Sequence, residues 1–291
     1  MRCAVLLSGL LPLLLGGCNQ SSSVLKYEIH GDAVTITGCD KDVSGELVIP
    51  DAIKGKPVTS IGGDAFSSCR GLTSITIPDS VTSIWDGAFQ SCTSLTSITI
   101  PNGVTSIGRE AFGKCSSLTG ITIPDSVTSI GDNAFYDCSS LTSITIPDSV
   151  TSIEEGAFYK CTSLTSITIP ESVISIGDSA FQTCTSLTSI TIPDSVSSIG
   201  YQAFADCRGL KSITIPDRVS YIGSFAFAEC NSLRAVTFLG DAPKAGQRVF
   251  SLSPPIIYRN PEAKGWGETW DETVGDGTRD IPPVKLISEK P

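Results

Sequence analysis

Between residues 58 and 238 the apolar and polar positions follow a pattern that repeats every 23 residues. Its plainest marks are Phe66, Phe89, Phe112, Phe135, Phe158, Phe181, Phe204 and Phe227. Each is followed three residues later by a cysteine: Cys69, Cys92, Cys115, Cys138, Cys161, Cys184, Cys207 and Cys230. Six residues after each phenylalanine stands a leucine, which in the first seven units opens Leu-x-x-Ile-x-Ile-Pro, as in Leu95, Ile98, Ile100 and Pro101. A fixed period of this length predicts a solenoid, in which each unit buries its apolar side only against its neighbours.

Within the unit Leu95 to Cys115, Leu95, Ile98 and Ile100 point inward and Ser97 and Thr99 outward, the alternation of a strand. Pro101 ends that strand because it cannot donate a ladder hydrogen bond. Val104 and Ile107 turn inward again as a second short strand, and Gly108 supplies a tight corner. Ala111, Phe112 and Cys115 then predict a short helical turn with its apolar face inward. Each large inward side chain contributes about 1.5–3 kcal/mol, against a backbone entropy cost of about 1–2 kcal/mol per residue. A single coil loses that contest, and stacked coils win it.

The flanks differ. Residues 25–57 hold two short strands, Val34 to Thr37 and Leu47 to Ile49, and read as an N-terminal cap over the first apolar cross-section. After residue 238 the pattern dissolves. Residues 239–275, with Trp266 and Trp270 beside glycines, read as a C-terminal cap, and residues 276–291 as a loose tail. Residues 1–17 read as an export signal, with Arg2 before an apolar run from Ala4 to Leu15 too short to span a bilayer. Residues 18–24 then form a linker. Leu15-Gly16-Gly17-Cys18 resembles a bacterial lipobox, which implies cleavage before Cys18, a lipid on that cysteine and anchorage in the cell envelope.

One full unit runs Ile130-Gly131-Asp132-Asn133-Ala134-Phe135-Tyr136-Asp137-Cys138 and continues to Leu141-Thr142-Ser143-Ile144-Thr145-Ile146-Pro147-Asp148-Ser149-Val150. It resembles the BspA-like class of bacterial leucine-rich repeat. The resemblance implies a leucine-rich solenoid, mainly β with short helical turns, in a secreted or surface-attached protein. Some members are similar to adhesins that bind host or matrix proteins, and the repeat carries no catalytic signature.

Charge narrows the partners. With 20 Lys and Arg against 30 Asp and Glu, the net charge of −10 repels phosphate backbones and anionic headgroups, so nucleic acid is excluded. Of eleven cysteines, Cys3 lies in the signal and Cys18 under the proposed lipid. The remaining nine are odd in number, and eight occupy equivalent places in successive coils. That arrangement predicts an interior ladder of reduced thiols facing a turn rather than a disulfide framework. His30 is the sole histidine. No triad, zinc-ligand spacing, phosphate-cradling loop or nucleophile elbow is present, so the chain reads as non-catalytic, without cofactor or metal.

Three surface features remain. Asp79, Asp125, Asp148, Glu171, Asp194 and Asp217, with Asn102 among them, follow the strand prolines and read as turn residues whose side chains bond nearby backbone N–H groups. The outward strand positions, from Ser74 and Thr76 to Ser212 and Thr214, form a hydroxyl stripe broken at Gly120. Departures from the repeat mark a candidate partner surface: Trp85 in a corner glycine's place, Tyr136 and Tyr159 expected to stack in adjacent coils, and Tyr201, Tyr221 and Phe225 in the last coils. Together these point to an exported, lipid-anchored protein whose solenoid binds a protein or matrix component. The alternatives are an envelope scaffold, or glycan (further behind, ice) binding by the stripe and by Trp266 and Trp270.

Overall fold

The computed structural model describes residues 24–253, 255–266 and 284–289. The export segment, Cys18 and Trp270 lie outside the described residues. The array is a mainly β solenoid. First strands stack parallel and in register, so that Ser74, Ile75 and Thr76 lie beside Ser97, Ile98 and Thr99, and Ser143 to Thr145 beside Ser166 to Thr168. Second strands stack in the same way, Ile61 beside Ile84 beside Ile107. The register follows from the repeat itself, since any shift of one residue would turn every buried isoleucine outward. At the N-terminal end the cap is a hairpin, Leu25–His30 against Ala33–Cys39, whose second strand pairs parallel with Lys56–Ile61.

The segment around each phenylalanine is not helical. Backbone N–H groups alternate between two destinations. Ala111, Gly113 and Cys115 bond back three residues within their coil, to Gly108, Glu110 and Phe112. Glu110, Phe112 and Lys114 bond across to Asp132, Ala134 and Tyr136 of the next coil. This alternation forces two left-handed residues per coil, at Glu110 and Lys114 with φ of 55° and 59°, and the same places in every coil from Asp64 to Leu252 are left-handed. Most are not glycine, and the conformation costs roughly 1–2 kcal/mol each. The inter-coil bonds and the stacked rings hold it in place.

Those rings form one continuous column. Phe66 to Phe250 stack with centroids 5.2–5.7 Å apart and planes within 18° of parallel. Beside them run the cysteines, all buried and unbridged. Cys115 donates its S–H to the Phe89 carbonyl at 3.2 Å, and Cys138 to Phe112 at 3.1 Å. The same Phe89 carbonyl also accepts the Cys92 N–H. Cysteine thus fills the second lone pair of a buried carbonyl while remaining small and apolar.

The corner glycine has a different reason from the one its sequence context suggests. Gly108 does not adopt a positive φ; a Cβ there would stand 2.5 Å from the Trp85 carbonyl carbon and the Asp86 nitrogen. The coils touch at this corner. Where Glu154 takes the glycine's place, the second-strand ladder parts. Thr128 bonds to Thr105 and Gly131 to Ile107, but neither Thr151 nor Glu154 makes the equivalent bond to the coil before it. One sheet therefore ends at Ser129–Ile130 and another begins at Ser152–Ile153. Trp85, in the same place, keeps its bond to Ile61. The first-strand sheet also divides, between Ser166–Thr168 and Ser212–Ile215.

Within the span expected as a loose tail, residues 284–289 are structured. Val284–Leu286 is a strand paired parallel with Ile256–Arg259, followed by a short 3-10 turn, Ile287–Glu289. Val284 supplies the apolar side that docks it, partly buried against the core.

Candidate functional site

Two hydroxyl populations, alike in sequence, separate in the structure. Thr96, Thr119, Thr142 and Thr165 each donate to the carbonyl of the threonine one coil earlier, at 3.1–3.4 Å. Ser80, Ser126, Ser172 and Ser195, beside the strand-proline turns, donate to valine carbonyls at 2.6–2.7 Å. The strand stripe does none of this. Ser97, Thr99, Thr122, Ser143, Thr145, Ser166 and Thr168 are exposed, and their hydroxyls make no bond within the described residues. At Gly120 the missing side chain leaves open space, and a shallow depression of about 420 Å³ lies over Ser97, Gly120, Thr122, Ser143 and Thr145.

The acidic row is revised in its detail. Asp79, Asp125, Asp148, Glu171, Asp194 and Asp217 are exposed, and no side-chain bond ties them to their turns. At five of these turns the following residue, Ser80, Ser126, Ser149, Ser172 or Ser195, instead donates its hydroxyl to a valine carbonyl of the coil before. Among the described residues no group of three acids, histidines or cysteines could hold a metal ion.

The six aromatic candidates do not form one patch. Trp85 is half exposed at its corner, its indole N–H on Ser83 Oγ at 3.1 Å. Tyr136 and Tyr159 occupy equivalent places but are not stacked on each other. Tyr136 lies over Gly113, where a Cβ would stand 2.2 Å from its ring, and the Lys114 ammonium sits 5.5 Å from the ring centre. Tyr159 carries Lys160 at 5.1 Å. Both rings are half-buried. Tyr201 and Phe225 do meet, edge to face at 6.0 Å, with Tyr201 43% exposed. Tyr221, 41% exposed, stands in the strand Tyr221–Ile222 outside that ring pair.

Tyr201 ends a corner edge that the sequence reading passed over. The equivalent residues of the preceding coils are Asp86, Arg109, Asp132, Glu155 and Asp178, all exposed. Four of the five are acidic. Asp178 Oδ1 accepts the Tyr201 N–H at 2.6 Å, as Asp86 accepts that of Arg109 at 2.8 Å. The 23-residue spacing was the signal that could have found it.

Trp266 is drawn into packing. Its ring meets Phe238 at 4.8 Å, its N–H reaches the Gly240 carbonyl at 3.4 Å, and it packs against the core. The interior thiols are chemically quiet. Burial raises those from Cys115 to Cys207 well above the usual range and pushes Cys92 and Cys230 up to about 12. Within the described residues no helix is long and apolar enough to cross a membrane.

A family model described as "BspA type Leucine rich repeat region" matches residues 49–165 and 151–258. A leucine-rich repeat protein from Bacteroides ovatus ATCC 8483 is 29% identical over 91% of this chain and 75% of its own, with a TM-score of 0.67. The leucine-rich repeat protein of T. pallidum is 32% identical over 65% of this chain and 89% of its own, with a TM-score of 0.60. A search of curated proteins finds no match to the chain.

Proposed function

Because the chain belongs to the BspA-type leucine-rich repeat family, we propose that it is a cell-surface protein whose solenoid binds another protein without catalysing a reaction. It is exported by residues 1–17 and held to the envelope by a lipid on Cys18. The observation that carries the binding reading is exposed Tyr201, set edge to face on half-buried Phe225, at the end of the acidic corner edge. An aromatic anchor beside a row of one charge fits a protein partner with a cationic rim around an apolar pocket. Such a partner is a matrix or host-surface protein rather than another strongly acidic chain.

The soluble fragment from Ser21 to Pro291 tests this when immobilised and exposed to matrix and cell-surface proteins. A captured protein should be lost with Tyr201→Ser or Phe225→Ser, and its association should slow as salt rises. Capture indifferent to both substitutions and to salt would sink the site. For the anchor, mass spectrometry of the mature N-terminus should find an acylated Cys18, and an unmodified cysteine there would remove it.

A second reading is favoured by the stripe. Its uncommitted hydroxyls and the depression over Gly120 suit a polar extended chain such as a glycan. Thr122→Val together with Thr145→Val should abolish glycan-array binding if this reading is right and leave protein capture intact. Trp270 remains a candidate for glycan stacking, while Trp266 is occupied by its contact with Phe238.

A further inference from the structure

The thiol ladder is regular except at its N-terminal end. From Cys92 to Cys230 every sulfur lies 3.1–3.2 Å from a phenylalanine carbonyl in the coil before it. Cys69 has no such phenylalanine, because the coil before it is the cap. Its sulfur stands 3.9 Å from the Asp40 carbonyl instead. The residue adjoining Asp40 is Cys39, at the end of the cap strand Ala33–Cys39. Both cysteines are buried, at 3% and 0% exposure, at the same end of the core, near enough for each thiol to shift the other's proton affinity.

We propose that Cys39 and Cys69 close a disulfide that fastens the N-terminal cap to the first coil, while Cys92 to Cys230 stay as thiols. Elsewhere a thiol is tied to a carbonyl, and its equivalents point the same way from parallel coils. Here one sulfur comes from a cap strand and the other from a turn, so the two approach from different elements.

The chemistry balances with a small-molecule or protein disulfide as oxidant. Cys69 is the thiol whose pKa is lowered, by the neighbouring Cys39 thiol and by Lys41, whose ammonium reaches the Ser67 carbonyl. As the thiolate it attacks one sulfur of the oxidant, forming a mixed disulfide and releasing one thiol. Cys39, deprotonated in turn, attacks the Cys69 sulfur and releases the second. Two protein thiols are oxidised and one disulfide is reduced to two thiols. Closure removes freedom from the unfolded cap, where the array has a neighbour on one side only.

Refolding the full chain from urea in a glutathione redox buffer tests the proposal without reference to export or partner. Thiols are trapped by alkylation under denaturing conditions, and unreduced peptides are mapped by mass spectrometry. The expected product is a peptide linking Cys39 to Cys69 in most chains, with Cys92 to Cys230 alkylated. Free Cys39 and Cys69 in the folded protein, or Cys39 joined to another cysteine, would overturn it. In addition, the oxidised protein should melt about 5 °C or more above the reduced one. Cys39→Ser should erase that difference. If that variant fails to fold, the wild-type peptide map alone decides.

Discussion

The turn column and the strand sheets are built from the same 23 residues, yet only one of them runs the length of the array unbroken. Phenylalanine stacking and the inter-coil bonds of the turns continue from Phe66 to Phe250. The second-strand ladder stops between Ile130 and Ile153, and the first-strand ladder omits Ser189 to Thr191. The difference lies in how each is sealed. A turn carries two inter-facing systems, hydrogen bonds outside and an aromatic column with a thiol donor inside. After Lys56–Ile61 each second strand is only two residues long and meets its neighbour at a closely packed corner. The ladder parts at the coil where Glu154 stands at that corner.

The largest expected effect comes from opening the column. Phe135→Ala should cost about 3–5 kcal/mol, read as a lower urea midpoint, whereas Ile144→Val in the sheet should cost about 0.5–1.5 kcal/mol. Equal losses would erase the contrast.

Alkaline pH should attack the column selectively. The unfolded chain releases thiol protons near the ordinary value of 9.0, while Cys92 and Cys230 hold theirs to about 12. The unfolded state thus loses protons first, so this contribution is complete below pH 9 and falls away between 9 and about 12. Urea midpoints followed across that window should decline, and Cys138→Ala should decline less steeply. A parallel decline would assign the effect to other groups.

Closing the sheet is a smaller change. Glu154→Gly should let the coil approach its neighbour and restore the two missing ladder bonds, each worth about 0.5–1.5 kcal/mol less the entropy cost of glycine. Hydrogen exchange at residues 151 and 154 should slow, while that of Phe135 stays as it was. Unchanged exchange would mean that something other than the side chain holds the coils apart. Smallest of all, Thr122→Ala on the stripe should shift stability by less than about 0.5 kcal/mol, because its hydroxyl holds nothing together.

The repeat, the inward residues, both strands and the thiol ladder were legible from spacing, because translation by one coil maps every buried side chain onto its own kind. The left-handed turns were not. Their positions hold Glu110, Lys114, Asn133 and Asp137, none of which announces a positive φ as glycine would. Gly108 was seen, but for a torsional reason when the true one is contact with the coil before it. Side-chain surroundings escaped too. Nothing in the spacing of Tyr136 and Tyr159 tells that Gly113 would draw one ring down and that lysines would sit over both. The strand at Val284–Leu286 lies beyond the periodic region, so periodicity could not point to it.

The constant offsets of the inter-coil bonds carry a further consequence. From Cys92 onward a cysteine reaches back 26 residues, a serine after a strand proline 22 and a threonine 23. Removing one whole period from the middle, or inserting one, would recreate each of these contacts with the next copy along. Length is therefore a free variable of this architecture. Recombination between near-identical copies in the gene could lengthen or shorten the array coil by coil, moving the two caps by about 5 Å each time, and no new interaction would have to evolve for the longer molecule to fold.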